Sequence, residues 1–391
     1  MIFSRPTAVH GDSRRCRVSW GRAALSSLAF FLALTISCGG ARAESHYRAL
    51  SDPAVAVKNP DQVLLETVAL AGNRVVAAGE HGVIIYSDDD GRSWRQAAVP
   101  VDVMLTAVAF ATPLEGWAAG AMGVVLHTDD GGMTWKTQLN GIRVNQLIAV
   151  AANQFALSHP NDPSTPRVLR RASIFAQTGP DKPFLSILPF TADDIQIYGA
   201  YRMCVKTADA GTNWQDCSLD VPDPVSHNLY DAVLSSTSIY IAGESGATFR
   251  SDDQGRTFSQ LTAPAEVTLL GILATPSHTL LSFGVAGSFF RSTDQGQTWS
   301  NVQVGSQSNL TAGLILKSGI IVIFTETGDI FVSHDDGMSF MELQSNDGMG
   351  IFGAVQVPDG DIILVGTNGV RNLTLNSLNW AKGSSQYKQQ G

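Results

Sequence analysis

The sequence predicts an all-β fold, a β-propeller of four-stranded blades, on three observations. An eight-residue motif, Ser/Thr-x-Asp-x-Gly-x-Ser/Thr/Asn-Trp/Phe, occurs six times. The copies start 41, 79, 44, 41 and 41 residues apart. Short apolar runs with period-two alternation and glycine turns fill each interval. Self-similarity at about 40 residues, built from strands and tight turns, is the pattern of propeller blades.

The first 43 residues read as an address. Arg5, Arg14, Arg15, Arg17 and Arg22 form a basic start, and the apolar run Ala23–Ile36 follows. Ala41-Arg42-Ala43 is a small-residue cleavage signal before Glu44. The run is short of the roughly 20 residues of a spanning helix. Residues 1–43 are therefore expected to be a signal peptide, and the mature chain a soluble protein of the periplasm or a lumen. Ser13-Arg14-Arg15 leaves the twin-arginine route open beside the general one, and Cys38 leaves a lipoprotein variant open. Residues 44–63 form a lead-in, residues 64–383 one propeller domain, and residues 384–391 a tail.

The motif copies are Ser87–Trp94, Thr128–Trp135, Thr207–Trp214, Ser251–Phe258, Ser292–Trp299 and Ser333–Phe340. The 79-residue interval equals two units, which implies a decayed copy near residues 160–176. Another decayed copy ends at Trp380. Units then begin near residues 64, 105, 146, 185, 229, 268, 310 and 351, a count of eight. Seven blades result if the unit near 146–180 is an insertion, and no helical periodicity stands out after residue 44. Within each unit a Gly-x-x-Gly turn joins the second and third strands, as at Gly79–Gly82, Gly120–Gly123, Gly243–Gly246, Gly284–Gly287 and Gly366–Gly369.

Mechanics accounts for the motif. A hydroxyl and a carboxylate can satisfy backbone groups inside a tight turn, and glycine supplies positive φ. The aromatic packs between sheets. Asp89, Asp130, Asp209, Asp253, Asp294 and Asp335, with Trp94, Trp135, Trp214, Phe258, Trp299 and Phe340, are thus fold elements rather than catalytic groups.

Composition narrows the function. The chain has 26 Lys and Arg against 35 Asp and Glu. Without residues 1–43 the balance is 20 to 34, a net charge of −14. Such an acidic chain is a poor nucleic-acid binder, because phosphate contacts need clustered cations. Cys204 and Cys217 are the cysteines left after residue 43. They flank Thr207–Trp214 symmetrically, and across an antiparallel pair they fall within disulfide range. The histidines are scattered, with no metal-ligand spacing, and no cofactor is indicated.

The motif is the Asp box, or bacterial neuraminidase repeat. The fuller form Gly-x-x-Gly-x-x-x-Arg-Ser-x-Asp-x-Gly-x-Thr-Trp/Phe at Gly243–Phe258 and Gly284–Trp299 resembles the photosystem II stability and assembly factor family of lumenal and periplasmic propellers. The resemblance covers residues 60–383. It implies a non-enzymatic, chaperone-like factor, expected to be monomeric, that binds a newly made membrane protein through an arginine patch. The family usually has seven blades. Its basic slot before the Ser/Thr is uneven here, holding Tyr86, His127, Lys206, Arg250, Arg291 and Val332.

Lys206, Arg250 and Arg291 occupy equivalent positions on successive units. They are candidates for binding an acidic segment of a protein client. The competing reading is that each ties to a neighbouring carboxylate. An alternative function is a sialidase-like carbohydrate-binding or hydrolase propeller. That chemistry needs an arginine triad and two carboxyls in close register, and none of Glu66, Glu80, Glu115, Glu244, Glu266, Glu326 or Glu342 is singled out. The segment Ser158–Arg171 is the least repeat-like stretch and is expected to be an exposed loop.

Overall fold

A computed structural model describes residues 47–343 and 348–374. The signal segment, the repeat ending at Trp380 and the tail lie outside the described residues. Seven antiparallel sheets are present among the described residues, each meandering in chain order. Their first strands are Leu65–Ala71, Leu105–Phe110, Phe184–Pro189, Leu229–Ser235, Leu269–Ala274, Leu310–Ile315 and Ile351–Gln356. Blades 1 to 6 have four strands and blade 7 has three. Each first strand packs beside the next, and that of blade 1 packs beside that of blade 7, which closes a ring.

Among the described residues the count of eight units thereby gives way to the alternative of seven blades. The unit placed near residue 146 is a pair of helices, α1 (Gly141–Ser158) and α2 (Thr165–Thr178). Asn140 caps α1 by accepting from the Arg143 amide, and a proline opens α2. Val144, Ile148 and Ala152 on α1, with Val168, Ala172 and Phe175 on α2, repeat at helical spacing and are buried. These helices overturn both the decayed blade and the expected loop at Ser158–Arg171.

The core is divided into layers between blades. Trp117, Phe184 and Ile197 sit between blades 2 and 3 with the buried faces of both helices. Tyr198, Phe249 and Leu229 fill the layer between blades 3 and 4. Leu281, Phe289 and Ile323 fill the one between blades 5 and 6. Each second strand is buried along its length because it lies mid-sheet with a blade on either side.

Candidate functional site

The Asp boxes occupy the turn between third and fourth strands. In blade 5 the Ser292 hydroxyl donates to Asp294 Oδ1 at 2.8 Å and accepts from the Gly296 amide at 2.9 Å. Asp294 also accepts from the Thr298 amide and hydroxyl. These bonds favour the charged form. They hold the carboxyls of Asp89, Asp253 and Asp294 down at about 2, with the hydroxyl of the following Ser or Thr as the largest cause. A carboxylate held ionised in this way serves its own turn and is poorly suited to donate a proton near neutral pH. The box aromatic turns back onto the preceding blade: Trp135 packs with blade 1, Trp214 with blade 2 and Phe258 with blade 3.

The residue before the box glycine is left-handed: Asp90, Gly131, Ala210, Gln254, Gln295 and Asp336 all have positive φ. This conformation exposes its carbonyl to the preceding blade, and a side chain there uses it. Arg74 donates to Gly131 O at 3.1 Å, and Gln138 to Ala210 O at 2.8 Å. Gln196 donates to Gln254 O and Arg291 to Asp336 O, each at 2.8 Å. Four blade junctions thus share one latch. No side-chain identity marks its acceptor, so the motif alone does not reveal it.

The three candidate cations occupy the same strand position but differ in what they reach: Lys206 a carboxylate of the following linker, Arg250 groups of its own blade, and Arg291 the next blade's box. Lys206 donates to Asp220 at 2.7 Å. Arg250 pairs with Asp252 at 2.8 Å and lies over the Tyr240 ring. Arg291 grips Asp336 through both its carboxylate, at 2.7 Å, and its carbonyl. Burial pushes the Asp336 carboxyl up, but hydrogen bonds from Thr279, Arg291 and Ser277 outweigh it and hold the group below its ordinary value. Each cation is therefore neutralised by a local carboxylate and partly covered. Lys206 lines a polar cleft of about 330 Å3 between blades 3 and 4, together with Arg256, Asp194 and Gln196.

The central channel encloses about 490 Å3 and is lined by the first strands. Glu66 and Asp231 face it, and burial raises both carboxyls, that of Asp231 to about 6. Asp231 accepts from Ser186 of blade 3, from its neighbour Ala232 and from the Ile272 amide of blade 5. It joins three blades. Four of the other glutamates weighed from the sequence have local partners. Glu80 and Glu244 accept from the Leu64 and Asn228 amides, and Glu326 from Asn309. Glu115 bonds His127 at 2.7 Å. Among the described residues no group of three or more His, Cys, Asp or Glu is arranged to hold a metal.

Cys204 and Cys217 are joined as a disulfide, with Cα atoms 4.9 Å apart beside the pair Val205–Asp216. It sits at the end of blade 3 where the helices dock. Arg171 of α2 reaches down to Ser218 Oγ and the Tyr201 carbonyl, each at 3.0 Å, and stacks on Phe175. Burial brings the Arg171 guanidinium down to about 10. The buried Asp216 beside it is raised by the same cause.

The model of the family described as photosynthesis system II assembly factor YCF48 matches residues 88–155 and 174–387. The chain belongs to that family. The break in the match, 156–173, falls on the turn between α1 and α2 and most of α2. No curated protein matches the sequence significantly. The fold is similar to solved YCF48 bound to D1 peptide, with TM-score 0.60 and 15% identity over 83% of this chain and 99% of that one. YCF48 from Cyanidioschyzon merolae is similar at TM-score 0.58 and 13% identity, over 81% and 96%. The WD40 propeller of Doa1 gives 0.55 and 13%, over 84% and 97%. At these identities the likeness concerns the fold.

Proposed function

We propose that this member of the YCF48 family is an exported, non-enzymatic propeller that binds a segment of an integral membrane protein and assists assembly of its complex. Family membership over most of the chain is the observation that carries the reading, and YCF48 in complex with D1 peptide supplies the precedent for a peptide client. The basic start, apolar run and Ala41-Arg42-Ala43 support export to the periplasm or a lumen.

The client contact lies along the arc of Lys206, Arg250 and Arg291 on successive blades. Each cation is already paired, so an acidic client segment binds by exchange, its carboxylates replacing the local ones. Exchange is easiest at Arg250, whose partner Asp252 is well exposed to water. It is hardest at Arg291, which is bound to Asp336 at two points.

The test uses immobilised protein from His46 onward, which contains the whole closed ring, against detergent-solubilised membranes of the source cells. The wild type is expected to retain an integral membrane protein. The triple variant Lys206→Gln, Arg250→Gln, Arg291→Gln is expected to lose most of it with the fold intact by circular dichroism. Retention of no membrane protein by the wild type would contradict the reading. Equal retention by the variant would place the contact elsewhere on the ring.

A further inference from the structure

We propose that the outward side of the helical pair α1–α2 is a second interaction surface, one that rests reversibly on an anionic lipid bilayer. This surface is separate from the arc of Lys206, Arg250 and Arg291 and does not depend on how that arc is used.

Charge is the first observation. Residues 141–178 hold four arginines, Arg143, Arg167, Arg170 and Arg171, against one acid, Asp162, in a chain that is otherwise strongly acidic. Arg171 is spent as the anchor into blade 3. Arg167 and Arg170 are exposed on α2, and neither pairs with a carboxylate among the described residues. Arg143 is exposed on α1 and bonds only the neutral Gln146.

Apolar exposure is the second. On α1, Ile142 is 44% exposed, Val150 54% and Leu157 84%. At 100° per residue these three and Arg143 fall within an arc of about 100°, opposite the buried Val144 and Ile148. The stripe runs about 22 Å, and Leu157 ends it beside the turn between the helices. On α2, Leu169 and Ile174 are also exposed, flanking Arg170.

The combination selects the partner. An acidic peptide satisfies arginines but has no use for a row of exposed aliphatics among them. A bilayer surface takes both, with headgroup phosphates on the guanidinium groups and aliphatic side chains at the acyl boundary. The rest of the ring carries excess negative charge and is repelled by the same surface. Contact through the helices is therefore the orientation electrostatics favours. With few cations and a short stripe the binding is weak and salt-sensitive.

The experiment is flotation of the protein from His46 onward with two kinds of vesicle, pure phosphatidylcholine and phosphatidylcholine mixed with phosphatidylglycerol. Binding is expected to the anionic vesicles only, and to disappear in about 1 M salt, where the Debye length is near 3 Å. Arg167→Gln with Arg170→Gln should weaken it about thirtyfold, taking the usual contribution of a basic residue near an anionic surface. Leu157→Ser should weaken it at unchanged salt dependence. All three positions are exposed, so the variants should keep the wild-type circular dichroism spectrum. No binding to anionic vesicles beyond that to neutral ones would overturn the proposal, as would equal binding by both variants. Capture of an oligoglutamate peptide without vesicle binding would overturn it in favour of an acidic protein partner. None of these outcomes bears on the cations of that arc.

Discussion

Replacing Arg171 by Ala should release the helical pair from blade 3 while leaving the ring closed. The guanidinium makes two bonds of 3.0 Å, to Ser218 Oγ and the Tyr201 carbonyl, and stacks on Phe175. Bonds from a charged donor contribute about 1.5–3 kcal/mol each. Removal also leaves the buried Asp216 without its nearest neutralising charge from α2. Breaking a buried charge arrangement from one side costs about 3–5 kcal/mol. A loss of about 4 kcal/mol in local stability corresponds to roughly a thousandfold faster amide exchange in residues 141–178. Hydrogen exchange read by mass spectrometry measures it segment by segment. Adding Asp216→Asn should recover part of the loss, with a coupling of about 1 kcal/mol or more in the double-mutant cycle. Unchanged exchange in 141–178 would refute the anchor, and so would an equal rise in blade 5.

Three further outcomes follow from the fold. Gly246→Ala places a Cβ 1.9 Å from the Ala265 carbonyl at a φ of 77°, so it should lower stability by more than about 2 kcal/mol in urea unfolding. Cys204→Ser with Cys217→Ser opens a loop of 13 residues' separation and should cost about 3 kcal/mol, read as a lowered denaturation midpoint. Asp231 has a folded-state value of about 6, above its unfolded value near 3.9, so the folded state holds the extra proton between those values. Its contribution to stability is fully present below about pH 4 and is lost as pH rises through about 6, by at most about 3 kcal/mol. Asp231→Asn should remove that window from the pH–stability profile, and a profile unchanged in shape would contradict the assignment.

The blades were legible because each Asp box does its work locally. Hydroxyl, carboxylate, glycine and aromatic must all be present in one turn, and their spacing survives in the sequence. Residues 140–183 are about as long as one unit, so spacing alone allows either an eighth blade or an insertion between blades 2 and 3. Its helical signal lay in Val144, Ile148 and Ala152, but α1 is rich in alanine and the stripe is faint against that background. The basic slot was visible, whereas its partners were not. Asp220 comes from a linker, Asp252 from the same blade and Asp336 from the next blade's box. The latch between blades was invisible for another reason. Its acceptor is a backbone carbonyl, offered alike by Gly131, Ala210, Gln254 and Asp336.

Client binding is tested most directly inside the cell. The tagged protein, expressed with its own export signal, would be crosslinked in place, purified under denaturing conditions and its partners identified by mass spectrometry. A dominant integral membrane protein, crosslinked to peptides that border Lys206, Arg250 and Arg291, is the predicted result. Recovery of glycans alone, or of no protein above the untagged control, would contradict an assembly propeller.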